Sequence, residues 1–170
     1  MQTLRDIRKL LTAAALGPRR AMGQNFLIDR HAMDRLLELA DLAGDETVLE
    51  VGPGTGSLTE ELLARAALVV AVELDAGLHR LLARQLGDRE GLHLIAGDVL
   101  ASKHALNPAV LDALGNRCDL VANLPYNIAT PLVAECLLCS WRAAVGGVAR
   151  LPAFPRLTFT VQKEVAERIA

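Results

Sequence analysis

The residues of this chain that are best suited to chemistry each follow a short apolar segment. Three glycines occur within residues 52–56, directly after the apolar residues 47–51. Glu73, Asp98 and Asn123 follow three further apolar segments. Short apolar runs of this length are typical of buried β-strands, and the carboxyl ends of parallel strands meet at one edge of a sheet. We therefore expect these residues to converge on one site.

The glycine-rich loop points to a ligand that approaches the backbone closely. Glycine has no side chain to obstruct that approach, and the helix that follows offers free N–H groups. The spacing is G-x-G-x-G with Ser57 next, which departs from the dinucleotide pattern G-x-G-x-x-G. By itself, the loop is explained equally well as a tight strand-to-helix turn. The departure makes a nicotinamide dehydrogenase the least favoured interpretation.

Two acidic residues extend the loop into a nucleoside-binding pattern. Glu73 lies 21 residues after Gly52 and ends the next apolar segment. A carboxylate at that place can accept hydrogen bonds from both hydroxyls of a ribose. Asp98 could accept a hydrogen bond from an adenine amino group. The structural alternatives are an exposed acid for Glu73 and a helix cap for Asp98. Together with the loop, the two carboxylates predict a nucleoside-containing cofactor.

The tetrapeptide Asn123-Leu124-Pro125-Tyr126 predicts what the cofactor is used for. The amino group of adenine is a poor nucleophile because its lone pair is delocalised into the ring. The Asn123 side chain and the Leu124 carbonyl could hold both of its N–H protons and direct the lone pair at a methyl group. Tyr126 offers a face on which the base could stack. Such a step needs positioning and electrostatics rather than a strong base. The alternative is a purely structural turn.

The elements that would position these residues alternate between strand and helix. We predict strands at residues 47–51, 68–72, 92–96, 119–122 and 157–161. We predict helices at 31–43, 57–66, 76–86 and 130–140, the last with Pro131 in its first turn, and another starting near Lys163. Residues 99–118 have helical character, and 146–155 form a loop. This alternation predicts an α/β fold with a Rossmann-like, doubly wound, mostly parallel sheet.

The composition of the chain argues against several other classes of protein. The 170 residues are 52% hydrophobic but only 3% aromatic, so the chain can bury an aliphatic core and is not disordered. No apolar run approaches the ~18 residues of a membrane-spanning helix. Cys136 and Cys139 lie one helical turn apart without a second ligand pair. We interpret them, and Cys118, as core residues and expect no metal site.

Charge is distributed unevenly along the chain. Residues 1–30 carry six basic and two acidic side chains, although the formal net charge of the chain is −2. A basic N-terminal arm on an acidic body suits a nucleic-acid binder, while a solvated amphipathic helix explains it equally well. The apolar run at residues 10–16 is at the low limit for a signal peptide. We therefore expect a cytoplasmic protein.

The motifs together resemble one family. They are GQNFL (23–27), VLEVGPGTG (48–56), VELD (72–75), GDV (97–99), NLPYNI (123–128) and QKEVA (162–166). This order of motifs resembles the ribosomal RNA adenine dimethyltransferases, in particular the bacterial small-subunit type that dimethylates two adjacent adenosines near the 3′ end of 16S RNA. The resemblance implies S-adenosylmethionine as methyl donor, the 16S RNA or a small-subunit precursor as partner, no membrane, and a monomer.

The resemblance also assigns residues by matching motif. Asn25 and Leu27 would line the methionine side of the donor, Gly52 would contact it from the loop, and Asn123 would stand at the point of methyl transfer. Glu73 would hold the ribose and Asp98 the adenine. Gly54 and Leu74 complete the implied donor site. The basic arm would lie near the RNA and help to close this site.

The sequence departs from the family in two places. Residues 141–156 form a longer insertion than we expect, which we interpret as a passive loop. The chain stops at Ala170, before two further strands, a Phe-Pro-rich loop and a small helical C-terminal domain of the family. We accordingly predict a basic arm at 1–30 and an incomplete methyltransferase domain at 31–170. The fifth strand would be an unpaired apolar edge and an aggregation risk.

Other functions remain open at this point. A 23S RNA adenine methyltransferase would share the chemistry, although the 123–131 stretch looks more like the small-subunit type. A DNA adenine methyltransferase is disfavoured by the 23–27 block. A non-catalytic RNA-binding or ribosome assembly factor could use the same scaffold. Intact Glu73, Asp98 and Asn123 favour catalysis over that last alternative.

Overall fold

Five parallel strands form the central sheet of the protein. The computed structural model describes residues 2–16, 26–146, 151–161 and 166–167. The sheet order is β3-β2-β1-β6-β7, and a separate hairpin pairs β4 with β5. The strands are β1 (Thr47–Val51), β2 (Leu68–Glu73), β3 (Leu92–Ala96), β4 (Leu100–Ser102), β5 (Ala105–Leu106), β6 (Asp119–Asn123) and β7 (Leu157–Thr160). The predicted α/β fold with a doubly wound parallel sheet is confirmed.

Helices cover both faces of this sheet. They are α1 (Leu4–Ala13), α2 (Arg30–Ala40), α3 (Ser57–Leu63), α4 (Ala76–Leu86), α5 (Pro108–Leu114) and α6 (Tyr126–Ala144). Four of them begin at side-chain caps, in which the side chain before the helix accepts hydrogen bonds from backbone N–H groups of the first turn: Thr3, Asp29, Asp75 and Asn107. Such caps satisfy donors that have no partner within the helix, so they fix where each helix starts.

Alternation along the strands divides the core into two layers. In β1, Val48 packs with α2 and α3, whereas Leu49 and Val51 pack with α5 and α6. Both layers are aliphatic, as the strands of a sheet covered on both faces require. Glu50 is the one charged residue of β1, and it is also buried.

The strand order reverses between β1 and β6. The chain runs outward from β1 through β2 to β3, then returns to place β6 on the other side of β1. In open parallel sheets, ligands bind beyond the carboxyl ends of the strands at such a reversal. The loop after β1 and Asn123 at the end of β6 flank this point, so the topology locates the site.

Helix α6 is longer than predicted. It starts at Tyr126, directly after Pro125, and runs to Ala144, so the predicted bounds 130–140 were too narrow. Pro131 lies in the second turn rather than the first, which corrects its predicted position. Proline there has no N–H to donate to the carbonyl four residues earlier, a local loss that the packing of α6 against the sheet outweighs.

The remaining boundary corrections have local causes. Helix α2 ends at Ala40 rather than 43 because Asp41 adopts a left-handed conformation with φ of 44°. Helix α3 ends at Leu63, three residues early. The stretch 99–118, predicted as helical in character, contains the β4–β5 hairpin as well as α5. The predicted helix from Lys163 and most of the 162–166 motif lie outside the described residues.

Part of the predicted basic arm is a packed helix. Ile7 and Leu11 of α1 are buried against Leu78 of α4, together with Leu16 and Phe26. Thr3 and Asp6 form a reciprocal capping box at its start. The N-terminal segment is thus anchored on the body, at least over the described residues 2–16.

The cysteines occupy the core, as predicted. Cys118, Cys136 and Cys139 are free thiols buried in the layer that contains α5 and α6. Burial raises the pKa of the Cys136 thiol to about 12, so it stays protonated at neutral pH. Among the described helices, none is long and apolar enough to span a membrane.

Candidate functional site

A cavity lies beyond the carboxyl ends of β1, β2, β3 and β6, where the strand order reverses. Its lining includes Gly52 and Gly54 of the loop, Glu73, Asp98 and Asn123. These are the residues that the sequence predicted to converge, although they come from four different strands or strand ends. The structure therefore brings the predicted loop, both predicted carboxylates and the predicted amide into one site.

The loop after β1 requires glycine at positions 52 and 54 because of the backbone conformation there and the side chains that lie close to it. Gly52 and Gly54 have φ of 71° and 62°, which side chains other than glycine rarely adopt. A Cβ on Gly54 would lie 3.2 Å from Cε1 of Phe26, and one on Gly52 would lie 3.0 Å from Cγ of Pro125. Phe26 and Pro125 thus cover the loop closely and shape the cavity above it.

Glu73 is held in place by the loop that it faces. Its Oε2 accepts a hydrogen bond of 3.1 Å from the N–H of Gly54, and its Oε1 accepts one of 2.8 Å from the N–H of Asp75. The side chain is buried, and burial raises its pKa, while these two backbone bonds oppose the rise. Each carboxylate oxygen has a further lone pair, so a ligand hydroxyl can still be accepted.

Asp98 lies on the cavity wall in a turn rather than at a helix cap. Its Oδ1 accepts a hydrogen bond of 2.9 Å from the N–H of Leu100, which begins β4. Asn107 donates to its backbone carbonyl at 3.0 Å. The alternative in which Asp98 caps the next helix is wrong, because the hairpin comes first. Its carboxylate is exposed enough to meet a ligand.

Asn123 reaches the cavity from the last position of β6. The hydroxyl of Thr160, on the neighbouring β7, donates to its Oδ1 at 2.6 Å and fixes the orientation of the amide. Pro125 also lines the cavity, but Leu124 packs its side chain in the core and Tyr126 is not among the lining residues. The roles predicted for the Leu124 carbonyl and the Tyr126 ring remain predictions.

The N-terminal segment forms one wall of the cavity. Ile7 of α1 lines it, and the amide of Gln2 donates to the carbonyl of Thr55 in the loop at 2.8 Å. Leu27 lines it as predicted, and Leu74, which is 56% exposed, lies at its rim. Asn25 lies outside the described residues, so its predicted role stays a prediction.

Several lining residues were missed by reading the sequence. Glu50 was overlooked although it is the only charged residue in an apolar strand, which was the available signal. Ser57 was considered only as a departure from a motif. Ile7, Asn127 and Ile128 gave no signal, because their place depends on how α1 and α6 pack.

The cavity is acidic. Glu50, Glu73 and Asp98 line it, and no lysine, arginine or histidine does so within the described ranges. Carboxylates in a partly desolvated cavity without a cation disfavour phosphate groups and favour a ligand that carries positive charge. This lining argues against a dinucleotide, in agreement with the departure from the dinucleotide pattern.

A family model described as ribosomal RNA adenine dimethylase matches residues 17–170, which include nearly all of the sheet and the site. The chain belongs to this family.

Individual relatives agree with the assignment. A ribosomal RNA small subunit methyltransferase A from Synechococcus is 45% identical over 153 residues, 89% of this chain and 51% of its own length. A dimethyladenosine transferase from Plasmodium falciparum has a similar structure, with 25% identity, a TM-score of 0.58, and coverage of 85% of this chain and 45% of that chain. The 23S rRNA methyltransferase ErmE is 34% identical with a TM-score of 0.55 over 66% of this chain and 43% of that chain. The chain spans about half the length of the curated relatives it matches.

Proposed function

We propose that this chain is the catalytic part of an enzyme that transfers methyl groups from S-adenosylmethionine to N6 of two adjacent adenosines near the 3′ end of 16S rRNA. The observation that carries the proposal is the single acidic cavity that unites the glycine loop, Glu73 and Asp98 with Asn123 at its edge. The names of the small-subunit relatives support the choice of RNA.

The cavity fits the proposed donor by its chemistry. Glu73 is placed to accept ribose hydroxyls, Asp98 to accept an adenine N–H, and Gly52 and Gly54 to let the ligand lie against backbone. Leu27 and Leu74 would cover apolar parts, and Asn25 would add a polar contact. When bound, the donor supplies a methyl group on a positively charged sulfonium. The absence of basic side chains among the described lining residues suits that charge.

The acceptor would meet the donor at Asn123. The hydrogen bond from Thr160 orients the Asn123 amide, so its oxygen can accept one N–H of the adenine amine through its other lone pair. The Leu124 carbonyl would accept the second N–H, and Tyr126 would stack on the base. The amine loses its proton readily once it is methylated, so orientation is the main contribution of these residues.

The exposed face of α1 supports an RNA partner. Arg5, Arg8 and Lys9 lie on the helix face opposite Ile7 and Leu11, and the latter two are buried against the body. No ion pair ties these three cations to an acid of the described residues. Because Ile7 also lines the cavity, α1 covers it, and the basic face on the outer side of α1 would meet the phosphates of an RNA strand that approaches the cavity.

We extend the proposal to organisation and location. Residues 31–170 would act as the methyltransferase domain, with the N-terminal segment as its cover. The protein would work as a monomer on a small-subunit precursor in the cytoplasm, where ribosomes are assembled. A 23S RNA adenine methyltransferase is the second candidate, because of the likeness to ErmE. The two differ in RNA substrate rather than in chemistry.

Calorimetric titration of S-adenosylmethionine tests the donor site first. We expect binding by the wild-type chain and at least about tenfold weaker binding by Glu73→Ala, a loss of about 1.4 kcal/mol. Glu61→Ala is the matched control, since Glu61 pairs with Arg65 and does not line the cavity. A folded wild-type chain that binds no donor would overturn the proposal.

Methyl incorporation tests the acceptor side. Labelled donor is incubated with unmethylated small-subunit particles and, separately, with 23S RNA, using wild type and Asn123→Ala. We expect label in 16S adenosines and a loss of about 100-fold in the variant, with donor binding retained. Label in 23S RNA alone would favour the second candidate. Donor binding without transfer to either RNA would favour an assembly factor.

A further inference from the structure

Glu50 is a buried carboxyl group that the proposed roles above do not use. It lies in β1 two residues before the glycine loop, its side chain is 1% exposed, and it lines the cavity. Its Oε2 has no hydrogen-bond partner among the described residues. A buried polar atom without a hydrogen-bond partner costs free energy, and a ligand that interacts with this oxygen would reduce that cost.

The described residues around Glu50 include no cation. Helix α3 contributes the hydroxyls of Thr59 and Ser57, and Oγ1 of Thr59 and Oγ of Ser57 also lack a hydrogen-bond partner among the described residues. Helix α2 contributes apolar side chains to this layer, such as Met33 and Leu36. Strand β2 contributes Glu73, a second acid, and Asp98 lines the same cavity. No cation of the described residues therefore stabilises a negative charge on Glu50.

Glu50 consequently holds a proton when no ligand is bound. Burial raises its pKa to about 8, opposed by the Thr59 hydroxyl and reinforced by the charge of Glu73. At neutral pH the carboxyl is mostly neutral. A positive ligand in the cavity would supply the missing counterion and favour the charged form.

We propose that Glu50 releases its proton to solvent when the sulfonium donor enters the cavity and takes a proton back when the neutral thioether product replaces it. The inference rests on the proposed function. Donor and product share the adenosine and the amino-acid end, so the sulfonium charge is the main feature that distinguishes them electrostatically. Glu50 then acts as a positioning and selectivity residue that favours donor over product.

The proposal has a defined pH dependence. Donor binding favours ionised Glu50, so donor affinity rises with pH up to about pH 8, where the free cavity has lost the proton by itself. One linked proton limits the rise to about tenfold per pH unit. Product affinity changes less over the same range, because the product carries no sulfonium.

Calorimetry in pairs of buffers measures the proton directly. The wild-type chain is titrated with S-adenosylmethionine and with S-adenosylhomocysteine at pH 7, in phosphate and in Tris, whose ionisation enthalpies differ. We expect release of close to one proton with the donor and clearly less with the product. Glu50→Gln should abolish this difference and reduce the preference for donor over product about tenfold. Glu60→Gln, an exposed carboxylate on the same helix as Ser57, is the matched control.

The outcomes separate the inference from the proposed function. If the folded wild-type chain binds neither compound, the proposed function fails. If it binds both and releases equal numbers of protons, or if Glu50→Gln leaves the difference unchanged, only the inference is overturned. The wild-type comparison needs no variant, so it decides the question even where Glu50→Gln does not fold.

Discussion

At the scale of single residues, the shape of the site depends on glycine as much as on the functional side chains. Gly54 leaves room for the Phe26 ring above it and donates its N–H to Glu73 below it. The loop thereby links a predicted ribose acceptor to the cover of the cavity. A side chain at this position would disturb both contacts.

Gly54→Ala should weaken donor binding about tenfold or more, because a Cβ 3.2 Å from the Phe26 ring forces the loop or the ring to move. The variant should also lose about 1 kcal/mol of stability from its positive φ. Gly115→Ala is the control, with φ of 69° and nothing within 4 Å of its Cβ. Titration calorimetry and urea unfolding measure both effects. Equal donor affinity in the two variants would contradict the expected role of the loop.

The carboxyl of Glu50 should also affect how the free energy of unfolding depends on pH. Its pKa in the folded chain is about 8, above its ordinary value of 4.5, so the folded state binds this proton more tightly than the unfolded state does. The free energy of unfolding should therefore fall as pH rises from about 4.5 to 8, by up to about 1.4 kcal/mol per unit.

Urea unfolding of the ligand-free chain between pH 5 and pH 8.5 tests this expectation. Glu50→Gln cannot titrate, so its stability should fall less steeply than that of wild type, and the two curves should become parallel above about pH 8. Asp119, another buried acid with a raised pKa, contributes equally to both proteins, whereas the charge of Glu73 acts on Glu50 and so belongs to the difference between them. Parallel curves over the whole range would mean that Glu50 is not the group responsible.

At the scale of elements, the sequence pattern of α1 gives this helix an apolar side and a basic side. Its apolar side packs Ile7 and Leu11 on the body and closes the cavity. Its basic side remains open to solvent, with Arg5, Arg8 and Lys9 one turn or less apart. The amphipathic interpretation of the N-terminal charge is confirmed over the described residues, and binding of nucleic acid by the basic face stays a prediction.

Replacing Arg5, Arg8 and Lys9 by glutamine should weaken binding to 16S RNA and flatten its dependence on salt. Three lost phosphate contacts reduce the slope of log affinity against log salt by about 2. The matched control replaces Arg30, Arg35 and Arg65 by glutamine, since each forms an ion pair with an acid three or four residues away in the chain. Filter binding at several salt concentrations measures the slopes. Equal slopes for both triple variants would exclude the basic face as an RNA contact.

At the scale of the whole molecule, the parallel sheet gathers the site and leaves one strand at its edge. Strand β7 pairs with β6 and has no other neighbour within the described residues. Its side chains alternate between threonine and the apolar Leu157 and Phe159, and it carries no charge. Uncharged edges of this kind pair readily with other chains.

We expect the 170-residue chain to self-associate as its concentration rises, with β7 as the contact. Sedimentation velocity over a range of concentrations measures this directly. A chain that stays monomeric and melts cooperatively at high concentration would contradict the expectation. It would also support the monomeric state proposed for the function.

Much of the fold could be predicted because local sequence patterns identify most of its strands and helices. Buried parallel strands are apolar runs with sharp ends, so 47–51 and 92–96 were placed correctly, and α4 was also placed correctly at 76–86. Elements that lack such signals were misjudged. The start of α6 follows a proline turn, and the short β4–β5 hairpin interrupts a polar stretch.

By itself, the sequence determined the strand-end chemistry of this protein: the glycine loop, Glu73, Asp98 and Asn123, and the family that their order indicates. A side chain's type and its position after a strand are local properties, and parallel pairing carries all strand ends to one edge. Only the tertiary structure decided that α1 covers the cavity, that Thr160 orients Asn123, and that Glu50 lies in the cavity with no cation of the described residues beside it. Those contacts join residues far apart in the chain, and their geometry follows from packing, which no local pattern records.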